Sequence, residues 1–182
     1  MNGSAAAVMP VLAAQLAVFQ ALLLAASAVH KAARWQHSTN VMHRFGGVPR
    51  SAAGATLSAT LAVEWFAAAA LLVPEYRAMG ALLAASLWTL YLGLIVRAIL
   101  QQHRDVDCGC TFGSSPASLG AFQVTRNGVL AGLAVCIASV AATSGSVPVQ
   151  GSQVLGAIAL LALYGALDQV MTLQPLRRGE IL

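Results

Sequence analysis

Two thiols separated by a single residue, Cys108-Gly109-Cys110, are the pair in this sequence best suited to chemistry. Glycine between them permits the backbone angles that a small disulfide ring demands. Departure from relaxed disulfide geometry makes such a bond easier to reduce, so the pair suits thiol-disulfide exchange better than permanent cross-linking. Its surroundings, His103-Arg104-Asp105-Val106-Asp107 before and Thr111-Phe112-Gly113 after, pull in opposite directions. Asp105 and Asp107 disfavour a thiolate, whereas Arg104, a protonated His103 and the start of a following helix favour it. Two other readings stand beside exchange: loop thiols without a role, and half of a metal site with His103 as a third ligand. Structural zinc takes four N or S ligands at recognisable spacing, and no second Cys or His pair stands near in sequence, so no metal is assigned. The third cysteine, Cys136, lies inside an apolar run and reads as a buried packing residue, with a relay thiol as the functional alternative.

Ionisable residues within apolar runs are the next candidates, because a charge in hydrocarbon is costly and kept for a reason. Glu64 and Asp168 both have apolar neighbours. Proton transfer accompanying thiol or quinone chemistry is one role for them, and helix packing through a hydrogen-bonded carboxyl is the other. His30, His37 and His43 follow the first apolar run. The first two share a face if that segment is helical, but the third does not continue the stripe, so a solvated interfacial face is expected.

The elements that position these residues follow from composition. Of 182 residues, 58% are hydrophobic and 9% charged, against about 25% charged in an ordinary soluble domain. A soluble globular protein and a disordered one are both excluded. The formal charge of +4 comes from too few charged residues to build a phosphate-binding face, so no nucleic-acid partner is expected. A span needs about 20 apolar residues, and five segments approach this: 8–29, 54–73, 78–99, 128–147 and 154–173. The class expected is an all-α integral membrane protein, a single compact bundle of four to five transmembrane helices. The fourth segment ends in Thr143-Ser144-Gly145-Ser146, which keeps four spans plus a re-entrant segment open. Gly128 and Gly132 form a small-xxx-small pattern of the kind that lets membrane helices approach closely. Ala26-Ser27-Ala28 resembles a signal-peptidase site. The absence of Lys or Arg before it and the length of the apolar run favour a retained span.

Nine of the ten basic residues fall on one side of a five-span layout, in a basic loop at 30–51, around the thiol segment and in the tail. The positive-inside rule makes that side cytoplasmic, and the thiol pair lies with it. No phosphate-cradling loop, zinc-protease motif, nucleophile elbow or dinucleotide fingerprint is present.

With these residues in view the sequence resembles the methylamine utilisation protein MauE family, membrane proteins loosely related to the DoxX-like group. The most specific match is Asp107-Cys108-Gly109-Cys110 with Phe112-Gly113, ahead of Arg126-Asn127. His30-Lys31, the stretch from Phe45 to Pro49, and Glu64-Trp65 match more weakly. Thr111 is inserted where the family commonly runs Cys-Gly-Cys-Phe-Gly. The resemblance implies a bacterial inner-membrane protein that assists maturation of the disulfide-rich, exported small subunit of methylamine dehydrogenase. It also implies a thioredoxin-like partner, MauD, with Cys108 and Cys110 as the exchanging thiols. A scaffold that docks or stabilises that partner without catalysis is the alternative. The layout is also similar to disulfide generators of the vitamin K epoxide reductase and DsbB type, where a bound quinone accepts the electrons. This chain has no second cysteine pair in another loop. Direct exchange with an exported partner requires the thiols on the side opposite to the one the charge rule assigns.

Overall fold

The computed structural model describes residues 2–101 and 121–173. Helices α1 (Asn2–Ala33), α2 (Trp35–Gly46), α3 (Arg50–Leu72), α4 (Arg77–Leu100), α5 (Ala121–Ser144) and α6 (Gly151–Leu173) follow in order, with one 3-10 turn at Pro74–Tyr76 between α3 and α4. Five of them are long and apolar enough to cross a membrane. An isolated helix satisfies all its backbone groups internally, which is why long apolar runs take this form in lipid. The fourth apolar segment is a continuous helix of 24 residues beginning at Ala121, seven residues before its apolar run starts. Its length is that of a full span, so the structure takes the five-span form of the fold.

The distribution of polarity is inverted relative to a soluble protein. Val63, Trp65, Phe66, Leu82, Leu155 and Leu163 are exposed, whereas Gln20, Lys31, Glu64, Arg77, Arg126, Asn127 and Asp168 are buried. Large apolar side chains facing outward over several helices match hydrocarbon as the surrounding solvent. The core is built from small residues. Ala14, Ala17 and Ala28 of α1, Ala67 of α3, Ala81 and Ala84 of α4 and Ala134 of α5 are fully buried, which lets the helices close on one another without an apolar driving force between them. Helix α1 occupies the middle and touches α3, α5 and α6; α4 packs most extensively on α5.

The closest helix approach is not at Gly128 and Gly132, where an added Cβ would meet nothing within 4 Å. An added Cβ would be tightest at Gly156 of α6, against the Gln15 side chain of α1, and tightest against backbone at Gly80, where it would lie 2.6 Å from the Leu71 nitrogen and 2.8 Å from the Ala70 carbonyl carbon. The small-xxx-small expectation for Gly128 and Gly132 is therefore corrected. The contact at Gly80 belongs to the turn that folds α4 back on α3, where the chain leaves no room for a side chain.

The basic loop after the first span is largely helical. Its polar and apolar residues segregate on opposite faces of α2, which packs mainly on α3. Gly47 ends α2 in the left-handed region, φ 68°, a conformation glycine adopts without steric cost. The Val48 N–H then donates to the Met42 carbonyl at 3.5 Å, and the Val48 carbonyl meets His43 Nδ1 at 2.8 Å. Pro49 caps α3, its carbonyl accepting from the Ala52 and Ala53 N–H groups.

At the opposite end, Arg77 stands apart from the other described basic residues. Its Nε donates to the Leu71 carbonyl at 3.1 Å and its Nη1 to the Val147 carbonyl at 2.7 Å. This satisfies a helix-end carbonyl of α3 and ties down the turn before α6. The residue is buried, so it serves structure and adds little exposed charge on that side.

Candidate functional site

Cys108 and Cys110, with His103, Arg104, Asp105 and Asp107, lie outside the described residues. The chain enters their segment from Gln101 at the end of α4 and leaves it at Ala121, the start of α5. The end of α1, α2, and the end of α6 lie at this same end of the bundle. Two observations tie these ends together. The Arg97 guanidinium of α4 lies beside Gly47, 3.6 Å from where its Cβ would stand. Arg126 of α5 is ion-paired with Asp168 of α6 at 2.9 Å.

Glu64 is the centre of a buried polar cluster that joins three helices. Its Oε1 accepts from Lys31 Nζ of α1 at 2.5 Å, from Tyr91 Oη of α4 at 2.6 Å and from Ser27 Oγ of α1 at 3.1 Å. Lys31 Nζ also donates to Ser27 Oγ and lies within hydrogen-bond distance of Tyr91 Oη, 2.9 Å in each case. It also stands 4.2 Å from the centre of the Tyr91 ring. Lys31 reaches Ser27 because residues four apart share a helix face. The Lys31 side chain is 5% exposed and that of Glu64 0%, so the ammonium and carboxylate are withdrawn from solvent together. Glu64 Oε2 is buried with no hydrogen-bond partner among the described residues.

One layer away, Gln20 of α1 bridges α4 and α5. Its Oε1 accepts from Trp88 Nε1 at 2.6 Å and its Nε2 donates to the Leu130 carbonyl at 2.9 Å. Trp88 packs edge-on against Tyr91, ring centres 5.9 Å apart. The bridge therefore abuts the Glu64 cluster.

Asp168 accepts from Arg126 Nη1 at 2.9 Å, with both side chains buried. The same guanidinium lies 5.9 Å from the centre of the Tyr164 ring, and Tyr164 meets Phe19 of α1 edge-on at 6.1 Å. Helix α6 lies along α1 and reaches α5 through these side chains. The two intramembrane acids are thus in separate ion pairs, one joining α1 to α3 and the other α5 to α6.

Cys136 is exposed, on a side of α5 turned away from the core, which corrects the expectation of a packed thiol. At 1.5 Å per residue it lies about 22 Å along the helix from Ala121. Among the described residues, no three His, Cys, Asp or Glu side chains gather to hold a metal ion.

Sequence reasoning counted Lys31 and Arg126 as topology signals, whereas both are internal partners of the acids it singled out. It passed over Ser27, Gln20, Trp88 and Tyr91. Polar or amphipathic groups in the middle of apolar runs were the available signal, since a buried Tyr or Trp needs a partner for its O–H or N–H.

A bundle of five spanning helices, with two buried ion pairs and an amphipathic helix at one end, is a multi-pass membrane protein of all-helical type. The chain belongs to the MauE family: the model described as methylamine utilisation protein MauE matches residues 9–143. It is 28% identical over 162 residues to the methylamine utilization protein MauE of Methylophilus methylotrophus, covering 87% of this chain and 85% of the relative. It is 27% identical over 181 residues to the protein of the same name from Paracoccus denitrificans, covering 95% and 97%. No solved structure matches.

Proposed function

We propose that this protein is an inner-membrane component of methylamine dehydrogenase biogenesis. In this reading it assists disulfide formation in the exported small subunit, with Cys108 and Cys110 exchanging with the thioredoxin-like protein MauD. The observation that carries the reading is the glycine-spaced thiol pair in the segment joining α4 to α5, within a chain of the MauE family. The exchange is balanced without a further reactant. The thiolate of one cysteine attacks a sulfur of the partner's disulfide and a mixed disulfide forms. The second cysteine then displaces the partner as a dithiol, leaving Cys108–Cys110 oxidised; the reverse sequence hands a disulfide to the partner.

Support from the fold is indirect but physical. The thiol segment joins the two most extensively packed helices, and beside its far end the Arg126–Asp168 pair ties α5 to α6. Elements that carry reacting groups perform best on a rigid frame. Glu64 and Asp168 act in this reading as the acidic halves of the pairs that keep the frame rigid.

The test is a Cys108→Ser, Cys110→Ser chain expressed in place of the native one during growth on methylamine. Alkylation of the small subunit is then compared by mass spectrometry. Accumulation of small subunit with free thiols, alongside normal amounts of the variant in the membrane, is the expected result. A fully oxidised subunit and unchanged dehydrogenase activity would refute exchange through these cysteines and leave a docking scaffold as the role.

A further inference from the structure

Around the corner where α2 turns into α3, positive charge collects without an acid to meet it. From residue 30 to residue 63 the chain holds no Asp or Glu. Arg44 in the last turn of α2, Arg50 at the start of α3 and Arg97 in the last turn of α4 are all exposed. The Arg97 guanidinium lies over Gly47, its two terminal nitrogens 3.6 and 3.7 Å from where a Cβ would stand. Gly47 is three residues from both Arg44 and Arg50, so the Cα atoms of those two are each within about 11 Å of it. None of the three arginines has a salt bridge or side-chain hydrogen bond among the described residues. The described acids cannot supply one. Glu64 and Asp168 are buried in their own pairs, and Glu75 stands in the turn at the opposite end of the bundle.

We infer that this corner binds the phosphodiester of an anionic phospholipid, held by Arg44, Arg50 and Arg97. Guanidinium groups match phosphate oxygens with paired N–H donors, and a shared anion relieves the repulsion among three like charges. Three features select a lipid headgroup. The first is depth. Helix α3 has 23 residues and α4 has 24, about 34 and 36 Å at 1.5 Å each, against a hydrocarbon core of about 30 Å. Arg50 begins α3 and Arg97 stands three residues before the end of α4, so centring each helix puts both Cα atoms within about 2 Å of the hydrocarbon boundary. From that level a long arginine side chain reaches outward to the phosphates. The second is an interfacial anchor: the exposed Trp35 has its ring 3.9 Å from where a Cβ of Gly54 would stand, one turn into α3 from Arg50. The third is the outer face of α2. Gln36, Asn40 and Arg44 are four apart and exposed, so amide donors continue the guanidinium site along one face without an acid to repel a phosphate.

The inference goes beyond the thiol-exchange reading and stands without it. A phosphate shared by Arg97 and the corner links α4 to α2 and α3, beside the point where the chain leaves α4. Anionic lipid that binds the folded chain there should stabilise it by mass action.

The experiment is native mass spectrometry of the full chain released from detergent micelles, titrated with phosphatidylglycerol or with zwitterionic phosphatidylcholine of the same acyl chains. The first phosphatidylglycerol should bind about tenfold more tightly than phosphatidylcholine. Arg44→Gln, Arg50→Gln and Arg97→Gln should each weaken that first adduct about fivefold, the effect of one basic residue at headgroup level. Arg34→Gln removes the same charge ten residues from Arg44, about 15 Å along α2, and should leave the adduct unchanged. Millimolar inorganic phosphate should not displace it, because the acyl chains hold the headgroup at the corner. Phosphatidylglycerol should also raise the Tm of the native chain and not that of the triple Arg→Gln variant. All three arginines are exposed, so the native and variant chains should share one lipid-free Tm, which separates loss of the lipid from loss of the fold. Equal binding of the two lipids, displacement by inorganic phosphate, or a loss on Arg34→Gln as large as that on Arg97→Gln would overturn the site.

Discussion

Removing either member of the Lys31–Glu64 pair should be far more damaging than removing both. Glu64 Oε1 accepts three hydrogen bonds, from Lys31, Tyr91 and Ser27, and both charged side chains are almost wholly withdrawn from solvent. Breaking a buried ion pair from one side costs about 3–5 kcal/mol, because the surviving charge keeps its desolvation penalty without its partner. Glu64→Met strands the Lys31 ammonium with only the Ser27 and Tyr91 oxygens near it. Lys31→Met strands the carboxylate, whose second oxygen already lacks a hydrogen-bond partner among the described residues. For a chain of this length 1 kcal/mol corresponds to roughly 2–4 °C, so each single variant should lower Tm by on the order of 6–20 °C. The double variant Lys31→Met, Glu64→Met buries two apolar side chains of similar length and should recover most of that loss, a coupling of about 2 kcal/mol or more. The assay is thermal unfolding of the four proteins of the cycle in one detergent, with cleavage of the loosened bundle by an added protease as a second readout. Single variants that lose less than about 1 kcal/mol, or a double variant whose loss equals the sum of the singles, would refute the claim that this pair joins α1 to α3.

Three further perturbations probe other parts of the frame. Gly80→Ala introduces a Cβ 2.6 Å from the Leu71 nitrogen, so despite the better helix propensity of alanine the protein should be about 1–2 kcal/mol less stable by thermal unfolding. Gly132→Ala, where a Cβ meets nothing, should be neutral or slightly stabilising. Arg77→Gln removes the guanidinium donors to the Leu71 and Val147 carbonyls. At about 1.5–3 kcal/mol per charged hydrogen bond, less what interfacial water restores, a loss of about 2–4 kcal/mol is expected, together with faster proteolysis of the turn at 145–150. Cys136→Ser, at an exposed position, should change stability by less than about 0.5 kcal/mol and leave maturation of the small subunit intact; loss of maturation would make this thiol a relay.

Sequence resolved the spans well because apolar run length maps directly onto bilayer thickness. Run length also carried the least regular case: α5 becomes 24 residues long by recruiting Ala121–Asn127, a stretch polar in sequence whose Gln123, Arg126 and Asn127 are buried. What sequence did not reveal was pairing. Lys31 and Glu64 are 33 residues apart and Arg126 and Asp168 are 42, and nothing local says which basic residue turns inward to meet which acid. The small-residue pattern failed for a related reason. It marks where close approach is permitted, and at Gly128 and Gly132 no helix takes up the permission, whereas Gly80, which has the same spacing with Ala84, stands beside a turn that brings it against Ala70 and Leu71. The amphipathic character of α2 was present in the sequence as a segment with two faces. Its histidines and arginines drew attention to charge and away from the periodicity that makes it a helix lying at one end of the bundle.

Orientation in the bilayer is where the fold and the proposed chemistry exert opposite demands, and the structure sharpens the opposition. With α5 a full-length helix, the ends of α4 and α5 that flank the thiol segment, α2 and the end of α6 share one face. Lys31 and Arg126 no longer count toward the charge bias of that face, since each is neutralised inside the bundle. Arg34, Arg44, Arg50 and Arg97 remain exposed on it, and Arg77 at the other end is buried against carbonyls. The positive-inside rule still makes the thiol face cytoplasmic, whereas direct exchange with an exported partner needs it outside. Direct exchange therefore predicts that, in a Cys136→Ser background, a membrane-impermeant maleimide labels Cys108 and Cys110 in intact spheroplasts, and only after prior reduction. Protection that persists until lysis would refute direct exchange. Cys136 is exposed on α5, and replacing it keeps its own labelling out of the result.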